Sequence, residues 1–288
     1  DALCNYLTAI GYPDTNNNNY KKFWPATHIV GKDILRFHAV YWPAFLMAAE
    51  LDPPKRVFAH GWWTNDGQKI SKTTGNVIKP HDLVERYGLD QTRYFLLREV
   101  PFGNDGDFSH QSMVTRMNSE LANDYGNLAQ RALSMIAKNL KGITPEPRVF
   151  TDNDQAMLNA AGELPEALRP LMDAQAFHEA LERIWVVIRA ANVYVDRQAP
   201  WVLRKTDVPR MGTVLYVLAE TIRRLAITTQ PFMPDASAKM LYAVASPENM
   251  RTFDDITNEA AMLAPGAELP KPQPIFPRYQ GEEEGEGA

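Results

Sequence analysis

The sequence predicts an α/β segment followed by an all-α helical bundle. Residues 26–30 and 56–60 are short apolar runs typical of buried strands, and residues 34–46 between them have the pattern of a helix. Strand, helix and strand in this order form the unit of a parallel sheet. From about Met113 onward, apolar residues recur at spacings of three and four with no strand signal, which predicts packed antiparallel helices.

In the α/β segment, single residues mark the turns. Gly31 ends the first strand, and Pro43 is expected to break or bend the helix that follows. Residues 61–70 predict a β-hairpin, because Asp66 and Gly67 form a favoured type I′ turn pair. Two short helices separated by Gly88 are predicted next, at residues 81–87 and 90–98.

The bundle is predicted from three apolar stripes with helical spacing. Their members are Leu121, Tyr125, Leu128, Ala132 and Met135; Phe177, Leu181, Ile184, Ile188, Ala191 and Val195; and Met211, Val214, Leu218, Ile222 and Leu225. Asp207 and Pro209 suit the start of the third helix, and residues 235–245 predict a shorter fourth one. From Ala264 onward Pro, Gly and Glu dominate, which predicts a tail with little structure of its own.

Composition and charge limit the classes of function. The net charge is −5, and because the tail carries four glutamates the rest of the chain is nearly neutral, which argues against non-specific coating of nucleic acid. One cysteine, Cys4, can form neither an internal disulfide nor a thiolate zinc site, so we expect a cytoplasmic protein with no metal site in this chain. The longest apolar run, residues 39–49, is too short to span a bilayer, so no membrane partner is expected.

Lys69 and Lys72 are the strongest candidates for catalysis. They leave the predicted hairpin within a segment rich in Ser, Thr and Gly, where a mobile loop could bring two ammonium groups to a polyphosphate. Such a charge would stabilise a departing pyrophosphate. A solvated lysine pair beside a turn is the structural alternative, and the residues alone leave both open.

Gly31 and Asp33 lie where ligands bind in α/β sheets, at the carboxyl end of a predicted strand. Gly31 permits close approach of a ligand, and Asp33 could accept hydrogen bonds from ribose hydroxyls; the chemistry alone favours a simple helix N-cap for Asp33. Ile34 and His38 share a helix face, with His38 suited either to a pocket or to a packed core.

Asn127, Arg131 and Trp201 form the third constellation. Asn127 and Arg131 are four residues apart and lie away from the apolar stripe of their helix. Trp201 follows Pro200 directly after the second long helix, off the core period. Exposed aromatic, guanidinium and amide groups stack on and recognise unpaired bases. The alternative for Trp201 is a plug at the end of the bundle.

Taken together, these residues resemble the methionyl-tRNA synthetases, a family of class I aminoacyl-tRNA synthetases, over the chain up to about residue 265. Residues 69–73, with the sequence KISKT, are similar to the K-M-S-K-S loop of class I synthetases and depart from it at Ile70 and Thr73. More specific to this family are HIVGKDI at residues 28–34, the pairs FH at 37–38 and WP at 42–43, NLAQR at 127–131, and APW at 199–201.

The resemblance implies a role for each candidate residue. Lys72, helped by Lys69, would be catalytic and stabilise the triphosphate; Gly31 and Asp33 would bind the ATP ribose with Trp63 beside the adenine. The methionine pocket would be formed by Ala2, Leu3, Tyr6, Ile34 and His38. Asn127, Arg131 and Trp201 would bind the anticodon. The implied cofactor is ATP with Mg²⁺, and the implied partners are methionine and tRNA(Met).

The resemblance also implies a domain organisation. Residues 1–68 would be the second half of a Rossmann-like nucleotide-binding catalytic domain, residues 69–116 the lysine loop with a stem-contact segment, residues 117–265 the anticodon-binding helical domain, and residues 266–288 a tail. The H-I-G-H signature of the family is absent from the sequence, and the chain starts at Asp1 in mid-pattern. We therefore expect a carboxyl-terminal half that is poorly active without the amino-terminal half of its catalytic domain. The alternatives are a non-catalytic tRNA-binding module and another class I synthetase, such as the leucine or cysteine enzyme.

Overall fold

The structure, a computed structural model, describes residues 2–70 and 76–281. The chain divides into two compact units. The first comprises Asp1–Ser71 with Phe102–Phe108, and the second comprises Lys72–Pro101 with Ser109–Ala288. The predicted order, α/β and then helical, is confirmed. The domain boundaries at residues 68, 116 and 265 stay predictions.

The first unit is built around short strands with helices between them. Its helices are a 3-10 turn at Ala2–Cys4, α1 (Asn5–Thr8), α2 (Asn18–Phe23), a 3-10 turn at Lys32–Ile34, a π-helical segment at Phe37–Tyr41 and α3 (Trp42–Ala48). Its strands are β1 (Thr27–Gly31), β2 (Arg56–His60), β3 (Trp63–Asn65), β4 (Gln68–Lys69) and β5 (Gly106–Phe108).

The pair β1–β2 is parallel, as the strand–helix–strand pattern predicts. Its register aligns Thr27 with Arg56 and Gly31 with His60. Alternate residues of β1, His28 and Val30, are buried, as expected for a strand with one face on a core. That core contains the buried side chains Leu7, Trp24, Trp42 and Leu46.

The helix predicted at residues 34–46 forms, but its geometry changes before Pro43. A π-helical segment occupies Phe37–Tyr41 and leads directly into α3, where Pro43 lies in the first turn. Proline has no N–H to donate and its ring crowds the carbonyl four residues earlier. A wider turn just upstream accommodates that ring, so the helix continues instead of breaking.

The hairpin before the lysine pair is confirmed. β3 and β4 are antiparallel, with Thr64 opposite Lys69. Asp66 and Gly67 both have positive φ, 49° and 73°, which is the type I′ geometry that an Asp-Gly pair favours. β5 pairs in parallel with the other edge of β3. This pairing was not predicted, because β5 is only three residues long and shows no strand pattern in the sequence.

The second unit is a helical bundle with α12 at its centre. Its helices are α4 (Pro80–Tyr87), α5 (Leu89–Arg98), α6 (His110–Arg116), a π-helical segment at Met117–Gly126, α7 (Asn127–Asn139), α8 (Asp152–Gly162), α9 (Leu164–Asp173), α10 (Phe177–Gln198), α11 (Pro200–Thr206), α12 (Val208–Thr229) and α13 (Pro234–Ala243), with 3-10 turns at Phe253–Ile256 and Glu259–Ala261. From Met211 to Thr229 every residue of α12 is buried. Asp207 caps this helix by accepting a hydrogen bond from the backbone N–H of Arg210, as predicted.

Four helices of the bundle, α6, α8, α9 and α11, and its π-helical segment were not predicted. α8 begins with a capping box between Thr151 and Asp154, and α9 contains Pro170, which obscures its helical pattern. After Glu259–Ala261 the chain has no regular element up to Gly281, yet it packs on the bundle, since Leu269 and Phe276 are buried. Within the described ranges, no helix is long and apolar enough to cross a membrane.

Candidate functional sites

Three of the residues predicted to bind methionine form one hydrogen-bonded group. The hydroxyl of Tyr6 lies 2.9 Å from Nε2 of His38, and Nδ1 of His38 lies 3.0 Å from the backbone carbonyl oxygen of Ile34. His38 is buried, whereas the side chain of Ile34 is 38% exposed. The structure therefore joins a buried imidazole to a phenol and to the backbone of Ile34, whose own side chain is accessible; such a combination suits a ligand with an apolar chain and a polar end.

The other two predicted pocket residues are at the start of the chain. Ala2 and Leu3 belong to the 3-10 turn that precedes α1, the helix that carries Tyr6. Leu3 and Tyr6 are partly buried against the core of the first unit, whereas Ala2 is exposed. Their contact with methionine stays a prediction.

Gly31 and Asp33 lie together at the carboxyl end of β1. A Cβ atom added to Gly31 would come within 2.5 Å of Oδ1 of Asp33, so a larger residue would displace that carboxylate. The helix cap expected from chemistry alone is not observed, because Asp33 makes no capping bond. Instead Oδ1 of Asp33 accepts a hydrogen bond from Nε1 of Trp62 at 3.4 Å. This leaves the carboxylate at the strand end where ligands bind in α/β proteins.

Trp62 is a residue that the sequence did not single out. Its indole is 47% exposed and lies under the ammonium of Lys32, 4.3 Å from the ring centroid. Lys32 also binds both carboxylate oxygens of Asp105, at 2.6 and 2.7 Å. The hydrogen bonds from Lys32 and from the backbone of Trp62 lower the pKa of Asp105. The sequence offered one signal for Trp62, namely the adjacent pair Trp62 and Trp63. Neighbouring residues of a strand point to opposite faces, so a site on one face of the strand is next to only one of the two tryptophans.

The lysine loop can be placed only in part. Trp63 lies in β3, and its predicted place beside adenine stays a prediction. The backbone of Lys69 ends β4, directly before the loop. Lys72 lies outside the described residues, so its predicted catalytic role also stays a prediction.

In the bundle, Arg131 and Trp201 come together. The guanidinium of Arg131 lies 5.5 Å from the centroid of the Trp201 ring and donates to Oδ1 of Asp196 at 2.6 Å. Trp201 is 41% exposed, so it does not plug the end of the bundle. With Pro200 they border a cavity of about 280 Å³. An exposed indole paired with a guanidinium is a suitable platform for an unpaired base.

Asn127 lies one turn before Arg131 on α7, and its side chain is exposed. It borders a neighbouring groove of about 300 Å³ instead of the Trp201 cavity. Phe276 and Arg278, from the segment after the last 3-10 turn, form the opposite wall of that groove. The three predicted anticodon residues thus share one region of the bundle, distributed over two adjacent concavities.

Within residues 2–70 and 76–281, no group of three or more His, Cys, Asp or Glu side chains could hold a metal ion. Mg²⁺ in nucleotide sites is held largely by phosphate oxygens and water with one or two carboxylates. A metal that arrives bound to a nucleotide is therefore compatible with the donors present, which include the Asp33 carboxylate at the end of β1.

Family comparisons agree with the two-part architecture. Residues 1–133 match the family described as tRNA synthetases class I (M), and residues 144–287 match the anticodon binding domain of methionyl tRNA ligase. The first match covers the strand-end residues, both π-helical segments, Asn127 and Arg131, and the second covers Trp201 and α12.

Individual relatives are similar over nearly the whole chain. A methionine–tRNA ligase of Brucella melitensis is 58% identical over 280 residues, which is 97% of this chain and 54% of the relative. One of Mycobacterium leprae is 51% identical over 98% of this chain and 53% of its own length. The solved structure of Mycobacterium tuberculosis methionyl-tRNA synthetase in complex with methionyl-adenylate is 50% identical, with a TM-score of 0.92 over 96% of this chain and 55% of that one. The chain spans about half the length of the curated relatives it matches.

Proposed function

Because the chain belongs to the methionyl-tRNA synthetase family of class I, we propose that the protein that contains it activates methionine with ATP and transfers it to tRNA(Met). In the first step a carboxylate oxygen of methionine attacks the α-phosphorus of ATP. The bond from that phosphorus to the bridging oxygen breaks, and pyrophosphate leaves. In the second step a terminal hydroxyl of the tRNA takes the methionyl group and AMP is released.

The observation that carries this proposal is the hydrogen-bonded pair of Tyr6 and His38 beside Ile34. Ala2, Leu3 and Ile34 would contact the apolar side chain of methionine, while Tyr6 and His38 form the polar wall. An unbranched thioether binds by shape and dispersion, so a fixed wall is needed to exclude shorter or branched side chains. The bond between the phenol and the buried imidazole provides that fixed wall.

For ATP, we propose that Gly31 and Asp33 hold the ribose with Trp63 beside the adenine. Trp62 joins this set because its indole binds the Asp33 carboxylate and fixes its orientation. Lys72, assisted by Lys69, would neutralise charge on the leaving pyrophosphate, where stabilisation raises the rate. Mg²⁺ would enter with the triphosphate and supply further charge neutralisation when bound.

For tRNA, we propose that Asn127, Arg131 and Trp201 bind unpaired anticodon bases. Arg131 is held by Asp196 in the structure, so RNA must compete for that guanidinium. A base that binds Arg131 weakly would not offset the free energy lost when the ion pair between Arg131 and Asp196 breaks. Stacking on Trp201 adds affinity with little dependence on the base, which leaves Arg131 and Asn127 to discriminate between bases.

The fourth proposed partner is the amino-terminal half of the catalytic domain. Large apolar side chains of the first unit are exposed around β1 and α3: Ile29, Phe37, Val40, Phe45 and Met47. A two-stranded sheet is marginal by itself, and the fraction of each relative that lies outside the match is large enough to cover such a surface. We expect the isolated chain to be poorly active and the complete enzyme to work in the cytoplasm.

Pyrophosphate exchange into ATP by the full-length enzyme tests this function. Exchange must depend on methionine, and tRNA(Met) must then become charged. Exchange with leucine or cysteine instead of methionine would assign another class I synthetase. Binding of tRNA by the full-length protein without any exchange would leave a non-catalytic RNA-binding module.

A further inference from the structure

His28 lies at the centre of the aromatic cluster below the proposed methionine pocket. Its side chain is on the buried face of β1 and is 5% exposed. Its ring centroid lies 4.4 Å from that of Tyr6 and 5.7 Å from that of His38, the two hydrogen-bonded residues of the pocket. The ring of Trp24 approaches it at 6.3 Å. His28 is thus the shared neighbour of both polar pocket residues.

A buried hydrogen bond fixes the protonation of His28. Nε1 of Trp42 donates to Nε2 of His28 at 3.2 Å, and Trp42 is only 1% exposed. An indole nitrogen can only donate. Nε2 of His28 therefore carries no proton, and the neutral ring holds its proton on Nδ1. Burial, and then the proximity of His38, lower the pKa of His28, which favours this neutral form.

The same reasoning applies to His38. Its Nδ1 faces the carbonyl oxygen of Ile34, which can only accept, so the proton of the neutral ring is on Nδ1. In that neutral ring, Nε2 of His38 carries no proton and accepts from the hydroxyl of Tyr6. Tyr6 is held twice: its hydroxyl by His38 and its ring by His28.

We infer that His28 is a positioning residue for methionine, acting through Trp42, Tyr6 and His38 without touching the substrate. By accepting the buried Trp42 N–H it fixes its own ring and that indole, and these two rings form the surface on which Tyr6 packs at 4.4 and 6.3 Å. Loss of the acceptor would leave the Trp42 donor buried without a partner, which is costly, so the cluster would rearrange. The inference rests on the proposed function, since it presupposes that Tyr6 and His38 bind methionine.

Two variants of the full-length enzyme separate positioning from bulk packing. His28→Gln keeps a side-chain oxygen that can accept from Trp42, whereas His28→Leu has a similar volume and no acceptor. In pyrophosphate exchange, His28→Leu is expected to raise the KM for methionine about tenfold while the KM for ATP changes by less than about twofold. His28→Gln is expected to recover most of the wild-type KM for methionine.

Three results would overturn the inference. The first is an unchanged KM for methionine in His28→Leu. The second is a pattern that indicates general packing: either an equal loss in both variants, or an equal change in kcat and in the KM values for methionine and ATP. The third is a ¹⁵N-imidazole spectrum of the wild-type enzyme in which His28 is charged or carries its proton on Nε2, since the inference requires a neutral ring protonated on Nδ1. The His28→Gln variant serves only to identify the signal, so this measurement needs no variant to retain activity. Wild-type enzyme without methionine-dependent exchange refutes the proposed function as well, whereas normal wild-type exchange with a silent His28→Leu refutes only the role of His28.

Discussion

The guanidinium of Arg131 lies 5.5 Å from the centroid of the Trp201 ring, although 70 positions separate the two residues in the sequence. Arg131 is on α7 and Trp201 is on α11, and Asp196 near the end of α10 holds the guanidinium in place. Three helices thus converge on one exposed cation–aromatic pair. Such a pair is preorganised to receive a base, because the cation is already oriented over the ring.

Trp201→Ala in the full-length enzyme should weaken binding of tRNA(Met) by about 1–3 kcal/mol, the range of one base-stacking contact. Trp201→Phe should retain much of the affinity, because a smaller ring still stacks. Phe253→Ala, which removes another exposed aromatic of the bundle, is the matched control. Equal tRNA affinities for Trp201→Ala and wild type, measured by filter binding at one salt concentration, would restrict Trp201 to a structural role.

Gly31→Ala should impair ATP use, since the new Cβ would lie 2.5 Å from Oδ1 of Asp33 and displace the carboxylate. We expect the KM for ATP to rise by about tenfold, equivalent to about 1.4 kcal/mol, with the KM for methionine less affected. Gly212→Ala is the control, because its Cβ would make only an ordinary contact, 3.4 Å from Pro145. A wild-type KM for ATP in Gly31→Ala would show that Asp33 is not positioned for the ribose.

Lys72→Ala should slow methionine-dependent pyrophosphate exchange by about 10²-fold or more, as the loss of an electrostatic contact to a transition state does. The decrease should be in kcat, because the charge on the leaving pyrophosphate develops during the reaction. Lys205→Ala changes an exposed lysine at the end of α11 and should leave exchange intact. Unchanged kcat in Lys72→Ala would remove the lysine loop from the mechanism.

Asp154 predicts a pH dependence of stability in the bundle. Burial raises the pKa of this carboxyl, but hydrogen bonds from Arg210 and Tyr194 outweigh it and lower the pKa from 3.8 to about 2. A depressed folded-state pKa stabilises the protein at pH values above the unfolded pKa and ceases to do so as pH falls through the folded one. The difference corresponds to about 2 kcal/mol.

We therefore expect the free energy of unfolding of the full-length protein to decrease between about pH 4 and pH 2 through this group. Asp154→Asn should unfold more readily at neutral pH and lose this part of the acid dependence. Denaturant titrations at several pH values measure both effects. An Asn variant with an unchanged pH profile would show that Asp154 does not contribute.

Local chemistry made much of the fold predictable. The parallel strands followed from two apolar runs around a helix, and the hairpin followed from Asp66-Gly67, whose positive φ angles few other pairs adopt easily. The π-helical turns were not predictable, because they are short segments within longer helices and add too few residues to change the apolar spacing that the sequence shows. α9 was missed because Pro170 interrupts its pattern.

The candidate sites were predictable as residue types but not as arrangements. Residue type and spacing singled out His38, Arg131 and Trp201, and the family resemblance assigned their roles, yet no local pattern indicates that Asp196 holds Arg131 across 65 positions. Trp62 contacts Asp33 across 29 positions, and only the folded register decides which of two adjacent tryptophans does so. His28 was hidden for the same reason, since its partner Trp42 is on another element.

The KM for methionine of the full-length His38→Ala enzyme tests the central claim most directly. If Tyr6 and His38 form the wall of the methionine pocket, removing the imidazole leaves the phenol without its partner and should raise this KM by about tenfold or more. The KM for ATP should stay within about twofold of wild type. A His38→Ala enzyme with the wild-type KM for methionine would contradict the assignment of this pocket.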